Sequence, residues 1–176
     1  MTLSLQSLLP IVLLIQGTIG AIDTLLNHEW KERLPHRADA HAEIGLHALR
    51  ESIYASLFAG LAWFEWHGAL AWVIVLLLAG EVIVTATDEF IENHIRILPH
   101  NERVLHVFLT LNFGLLIALL APQLLAWSQA STALVARDFG WLSWLLSALA
   151  LAAAAWAVRD ALAWRNLRRI AQSTAV

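Results

Sequence analysis

Five long apolar runs divide the chain, and they constrain its fold more than any other feature. The runs cover residues 8–26, 42–64, 69–90, 104–127 and 141–163. A bilayer core about 30 Å thick needs roughly 20 apolar residues of helix, so each run is long enough or nearly long enough to span it. Pro35, Pro99 and Pro122 are expected where helices begin or end. The pattern predicts an all-α, integral membrane protein with five transmembrane helices in a single domain, in which spans 1–4 form a four-helix bundle and a fifth helix buttresses it.

The composition agrees with a membrane protein and excludes other classes. Hydrophobic residues make up 59% of the 176 residues and charged residues 14%, against about 45–50% and about 25% in soluble domains. This balance excludes a disordered chain and a nucleic-acid-binding protein with a basic face. The chain has no cysteine, which excludes disulfides, iron–sulfur clusters and thiolate zinc sites.

Lysine and arginine are distributed unevenly between the two ends of the runs. Ten of the eleven lie on or toward the side of the loops 27–41 and 92–103, and only Arg137 lies toward the other side. Cytoplasmic loops carry the excess of these residues, so this side is expected to face the cytoplasm of a bacterial-type inner membrane. The amino terminus is then outside and the carboxyl terminus is cytoplasmic.

Acids and histidines lie inside the cytoplasmic ends of the first four predicted spans. In span order they are Asp23 and His28, Glu43 and His47, Asp88 and Glu92, and Glu102 and His106. A charged side chain at mid-membrane costs about 2.5–3.5 kcal/mol on a lenient scale and usually faces the bundle interior. Several of these residues lie at one depth, roughly 6–9 Å inside the helix ends at about 1.5 Å per residue. We therefore expect them to form one site.

The residue types favour a site for metal ions. A Glu and a His one helical turn apart share a helix face and can bind the same ion. Two ions about 3.5–4 Å apart need several carboxylates and a few imidazoles held on facing helices. These donors suit iron, manganese or zinc, while the lack of cysteine and the single methionine argue against copper(I).

The order of these residues resembles that of the ferritin-like di-iron carboxylate proteins, whose membrane-associated members include alternative oxidases and quinone hydroxylases. The resemblance covers roughly residues 16–110, with acids on spans one and three and Glu-His pairs on spans two and four. The pairs here are Glu-x3-His, whereas that family uses Glu-x2-His. The resemblance implies two metal ions, with iron favoured. The ligands that it implies are Glu43, His47, Glu102 and His106 with Asp23 and Asp88 or Glu92, and His28 beside Asp23 is a further candidate.

Three other residues on these helix faces are candidates for catalysis. Arg50 is expected to neutralise a buried acid such as Glu81 rather than to touch substrate. Glu81 lies about 10 Å deeper than Asp88, too far to share an ion with it, and is either the partner of Arg50 or a proton-relay acid. Tyr54, the one tyrosine, either packs in the interior or serves as a redox or hydrogen-bonding group.

Two hairpins carry similar elements in the same order. Each has an acid followed by Asn-His, then Leu-Pro-His, then Glu-x3-His, and the acids that begin them are Asp23 and Glu89. Such an order indicates an internal repeat of residues 16–64 and 81–127, or it arises by chance because the spacers differ in length. A duplication would relate the hairpins by an axis along the membrane normal.

The function that fits these features best is an integral-membrane di-metal oxidoreductase that uses O2 on a lipophilic substrate at the cytoplasmic side of the bilayer. The alternatives are a zinc-dependent membrane hydrolase, an ion or proton transporter, a b-type haem protein with His47 and His106 as axial ligands, and a non-catalytic accessory subunit. The expected partners are the lipid bilayer and a lipophilic small molecule, with no nucleic acid. Small residues in the fifth span allow close helix approach, so this helix is a candidate surface for homo-oligomerisation.

Overall fold

The computed structural model describes residues 5–174 and consists almost entirely of helices. Its five long helices are α1 (Leu5–Asp23), α2 (His41–Trp63), α3 (Ala71–Ile95), α4 (His100–Ser128) and α5 (Trp141–Thr174). The shorter elements are a π-helix at Thr24–Lys31, 3-10 turns at Leu34–His36, Ala38–Ala40 and Gly68–Leu70, and the strands β1 (Phe64–Trp66) and β2 (Leu134–Ala136). The all-helical class expected from the sequence is confirmed.

Four helices are long and apolar enough to cross a membrane. They cover Leu8–Lys31, Gly68–Ile95, His100–Ser128 and Trp141–Ser173. The helix α2 has 23 residues, a comparable length, but five ionisable residues lie between His41 and Glu51 in its first half. Its polar composition, rather than its length, separates it from the other four. The chain is therefore compatible with a multi-pass membrane protein, and the span predicted for residues 42–64 stays a prediction.

The helices form a ring in which each contacts its neighbours. The helix α1 packs on α4, α4 on α3, α3 on α2, α2 on α5, and α5 on α1. The interface between α2 and α5 is the most extensive of these, and α3 packs on α4 less extensively than α1 does. The helices α1 and α2 also contact each other directly. The helix α5 therefore packs against two members, α1 and α2, of the four-helix set predicted from spans 1–4.

The apolar core fills the half of the bundle that lies away from the predicted site. It is built from residues in the earlier parts of α1, α3 and α5 and in the later parts of α2 and α4, because α2 and α4 run opposite to the other three helices. Its fully buried members include Leu13, Leu57, Leu61, Ile74, Leu116 and Leu120. The polar residues are thus collected in the other half.

Two short strands join the loops at the apolar end. The strands β1 and β2 pair antiparallel, with Glu65 opposite Val135. Arg137, the basic residue predicted on this side, lies 3.7 Å from Glu65, and His67 lies 3.0 Å from the same carboxylate. Burial lowers the pKa of Arg137, and the Glu65 carboxylate opposes that effect. The loops at this end are therefore tied together, although the sequence showed them only as irregular connections.

Two prolines lie as expected and one does not. Pro35 falls within the 3-10 turn at Leu34–His36, and Pro99 immediately precedes α4. Pro122 lies inside α4, so the expectation of a helix end there is wrong. Prolines are tolerated inside apolar helices, where neighbouring groups and local adjustments satisfy the freed backbone.

Candidate metal centre

The eight predicted metal ligands belong to one connected cluster at the polar end of the bundle. Seven of them are at most 4% exposed: Asp23, His28, Glu43, His47, Asp88, Glu92 and Glu102. The eighth, His106, has 19% of its side chain exposed. The cluster draws residues from α1 and its π-helix, α2, α3 and α4, as the helical spacing of the acids and histidines predicted.

Four of the eight residues form a compact set of donor atoms, which we call the four-ligand set: Asp23, His28, Glu102 and His106. One ligand atom from each lies within 4.8 Å of all the others. Nε2 of His28 is 3.3 Å from Glu102 Oε1 and 3.6 Å from Asp23 Oδ2. Nε2 of His106 is 3.3 Å from the same oxygen of Asp23. Tetrahedral donors about 2.1 Å from an ion stand about 3.4 Å apart, so this set has the spacing of a metal site.

The π-helix after α1 brings His28 into this set. Thr24–Lys31 forms a π-helix in which His28 is buried. Residues five apart point about 140° from each other in an α-helix, whereas the i to i+5 repeat of a π-helix brings Asp23 and His28 to one face. Asn27 donates a hydrogen bond of 2.7 Å to Asp23 and orients its carboxylate.

A carboxylate lies behind the His106 imidazole. Nδ1 of His106 is 3.3 Å from Glu92 Oε1 and 3.8 Å from Glu89 Oε2. Histidines that bind metal commonly donate their other ring N–H to a carboxylate, which fixes the tautomer and the orientation of the ring. The Glu92 carboxylate therefore lies beside Nδ1 of His106, and Nε2 faces the other ligands of the set.

Arg96 is the central residue that the sequence did not predict for the site. It lies in the linker between α3 and α4, and its side chain is 5% exposed. It donates to Glu102 at 2.5 and 2.8 Å and to Glu43 at 2.9 Å, and it lies 3.5 Å from Glu92. Burial lowers the pKa of Arg96, but the hydrogen bonds to Glu102 and Glu43 outweigh that effect and hold the pKa above its ordinary value. The guanidinium of Arg96 therefore stays protonated.

A second part of the cluster lies deeper, between α2 and α3. Arg50 donates to Asp88 at 2.9 Å, and its Nε lies 3.4 Å from Glu81, so the pair expected between Arg50 and Glu81 is present. His47 lies 3.5 Å from Asp88. The imidazole rings of His47 and His28 meet edge to face at 4.3 Å, which joins this part to the four-ligand set.

Tyr54 extends the polar groups toward the apolar core. Its hydroxyl accepts a hydrogen bond of 2.8 Å from Gln16, whose side-chain oxygen accepts one of 2.7 Å from Asn112. Its ring stacks on Phe58, with centroids 5.6 Å apart. Tyr54 is thus both packed in the interior and hydrogen-bonded, which are two of the roles that the sequence left open.

The charges of the cluster do not balance. Six buried carboxylates, all at most 4% exposed, lie with two guanidinium groups in the described part of the chain. Four negative charges remain if the histidines are neutral. The acids are Asp23, Glu43, Glu81, Asp88, Glu92 and Glu102. Buried charges are costly unless they are paired, neutralised by protons or coordinated to a metal, so protons or metal ions must offset this excess.

Several buried atoms of the cluster that could bind a metal ion also lack hydrogen-bond partners. Among residues 5–174, both ring nitrogens of His28, Nε2 of His47 and both carboxylate oxygens of Glu92 have no hydrogen-bond partner. More than about 90% of buried polar groups in proteins have one. Unsatisfied imidazoles and carboxylates at the centre of one cluster are the donors that a metal ion requires.

The two hairpins of the predicted repeat contribute unequally to the cluster. Asp23 and Asn27 of the first hairpin are buried, whereas the corresponding Glu89 and Asn93 of the second are exposed. The Glu-x3-His pairs of both hairpins reach the cluster. The repeat of residues 16–64 and 81–127 stays a prediction.

The chain was compared with protein-family models, with curated proteins and with solved structures, and none of the three comparisons found a match. The buried Asp, Glu and His residues of the cluster can hold a metal ion. A function for this site is therefore inferred from its donors, its charge and its surroundings.

Proposed function

We propose that the protein is an integral-membrane, metal-dependent oxidoreductase that oxidises a lipophilic substrate with O2 at the cytoplasmic side of a bacterial-type inner membrane. The observation that carries this proposal is the four-ligand set, whose donor atoms lie within 4.8 Å of one another. It lies at the polar end of helices that are apolar enough to cross a bilayer. Two carboxylates and two imidazoles suit iron, with manganese or zinc as the alternatives.

The excess of buried carboxylates supports bound divalent cations. With neutral histidines, the six carboxylates outnumber the guanidinium groups of Arg50 and Arg96, and divalent cations would neutralise the excess. Di-iron carboxylate proteins hold their ions with acids and Glu-His pairs on four helices. The same residue types occur here on four helices, which supports a di-metal centre of that kind.

The residues around the ions have separate tasks under this proposal. Bound iron supplies the reaction with O2. Glu92 orients the His106 ring from 3.3 Å away. Arg50 offsets the negative charges of Asp88 and Glu81 in the deeper part of the cluster. The apolar bundle around them keeps bulk water from the reacting centre.

A lipophilic substrate fits the exposed side of the site. His106 is the one member of the four-ligand set that is not fully buried, and α3 and α4 pack loosely beside it. The neighbouring Phe90 and Val107 are 65% and 57% exposed. An apolar molecule in the bilayer can therefore approach the centre between these helices.

The proposal is tested with the full-length protein purified in detergent, loaded with Fe²⁺ without oxygen and then mixed with O2 and a short-chain ubiquinol. Two quinols supply four electrons and four protons to one O2, giving two quinones and two water molecules. We expect O2 uptake in that ratio, and we expect His106→Ala to abolish it. His100→Ala, an exposed histidine at the same end, is the matched control and should retain it.

Two results would count against this proposal. Iron binding without O2 uptake in the presence of quinol or lipid vesicles would refute the oxidase function. If the protein binds zinc tightly and does not bind iron, the hydrolase alternative would replace the oxidoreductase, because bound zinc activates a water molecule.

A further inference from the structure

Three carboxylates converge on Arg96 from three different helices. They are Glu43 on α2, Glu92 on α3 and Glu102 on α4, each at most 1% exposed. The Nη2 atom of Arg96 lies 2.9, 3.5 and 2.5 Å from their nearest oxygens. One positively charged nitrogen thus occupies the point where the three carboxylates meet.

This point is adjacent to the four-ligand set. Oε1 of Glu102 contacts both Nη2 of Arg96, at 2.5 Å, and Nε2 of His28, at 3.3 Å. Glu92 presents Oε1 to His106 and Oε2 to Arg96. Carboxylates shared in this way bridge metal ions about 3.5–4 Å apart in two-metal sites.

Some oxygen atoms of these carboxylates accept no hydrogen bond from Arg96. Both oxygens of Glu92 and Oε2 of Glu43 are buried without a hydrogen-bond partner in the described chain. Buried acceptors of this kind are uncommon. A guanidinium carries one charge in a plane, whereas a divalent ion accepts ligands from all directions.

We propose that Glu43, Glu92 and Glu102 form a second site for a divalent cation, and that the Arg96 guanidinium occupies this site when the second ion is absent. The inference rests on the proposed function, since it places the first ion in the four-ligand set. Arg96 lies outside α3 and α4, in the linker between Ile95 and His100. Its side chain can therefore leave without unwinding either helix, and the second ion binds by exchange with it.

A Mn²⁺ titration of the full-length protein, followed by electron paramagnetic resonance, tests this inference. The wild type should bind one ion tightly with the spectrum of an isolated ion. A second ion should bind at least tenfold more weakly and produce the spectrum of a coupled pair. Arg96→Gln should tighten the second ion at least tenfold and leave the first unchanged, whereas Arg96→Lys, which keeps the charge, should resemble the wild type.

Glu43→Gln gives an independent test if Arg96→Gln does not fold. Glu43 contacts Arg96 but is not part of the four-ligand set, so its substitution should remove the second ion and keep the first. Two equally tight ions in the wild type, an unchanged second ion in Arg96→Gln, or a retained second ion in Glu43→Gln would overturn the inference. If the wild type binds no ion at all in this titration, the metal centre itself is refuted.

Discussion

The Nδ1 atom of His106 on α4 lies 3.3 Å from a carboxylate oxygen of Glu92 on α3, while Nε2 of the same ring faces Asp23 on α1. One imidazole therefore connects three helices. The contact lies where α3 and α4 pack on each other less extensively than α3 packs on α2 or α4 on α1.

Glu92→Gln is expected to weaken binding of the first metal ion by about 10–100-fold, because it removes the carboxylate that orients a ligand histidine. Competition between the protein and a metal-sensitive dye measures this affinity. Asp39→Asn is the control, since the Asp39 carboxylate is 59% exposed, pairs with Arg37 and lies outside the cluster. Its effect should be less than about threefold. Equal losses in the two variants would contradict the role given to Glu92.

Arg50→Met is expected to destabilise the protein by roughly 3 kcal/mol, because it leaves Asp88 and Glu81 buried without their cation. The change is measured as a lowered unfolding temperature in detergent. Arg103→Met removes an exposed arginine near the start of α4 and should change stability by less than about 0.5 kcal/mol. Adding Glu81→Gln to Arg50→Met should recover part of the loss, and a double variant as unstable as the single one would contradict the pairing.

Two glycines on α1 test the packing of this helix against α2 and α5. A methyl group at Gly17 would lie 2.7 Å from Leu149 and 3.0 Å from Phe58, whereas one at Gly20 would meet nothing within 4 Å. Because the Leu149 and Phe58 side chains must shift, Gly17→Ala should be less stable than Gly20→Ala by about 1–3 kcal/mol. Gly20→Ala should be neutral or stabilise it by up to about 1 kcal/mol. The two unfolding temperatures are compared, and the same shift in both variants would contradict this arrangement of α1, α2 and α5.

The orientation predicted from lysine and arginine can be tested with single cysteines, because the chain has none of its own. His36→Cys lies in the linker before α2, and Ala130→Cys lies in the loop before β2, both at exposed positions. A membrane-impermeant maleimide added to intact cells or spheroplasts should label Ala130→Cys and leave His36→Cys unlabelled until the membrane is opened. The reverse labelling would place the metal centre on the outer side.

The helices could be predicted from the sequence because apolar runs of this length have few alternatives. The polar ends of these helices could not be predicted in the same way, because an apolar run ends where the polar residues of the site begin. The third run was predicted over residues 69–90, yet α3 continues to Ile95 and carries Glu92 into the cluster. The same polarity sets α2 apart from the four helices with a spanning composition.

The members of the candidate site were also predicted from sequence, because a buried acid or histidine in an apolar helix is costly and its depth follows from the helical rise. Their pairing was not. The π-helix that aligns His28 with Asp23 has no clear signal in residue types. Arg96 was counted only as a basic loop residue. Balancing the charge of Glu43, Glu92 and Glu102 would have drawn attention to it.

Each role proposed for the buried cluster requires that it bind metal. Element-specific X-ray fluorescence of the purified full-length protein measures this directly, for the wild type and for the double variant His28→Ala, His106→Ala. We expect at least one iron, manganese or zinc ion per chain in the wild type and in the His100→Ala control, and none in the double variant while its helices remain folded. A wild type without metal, or a folded double variant with full metal content, would contradict the account.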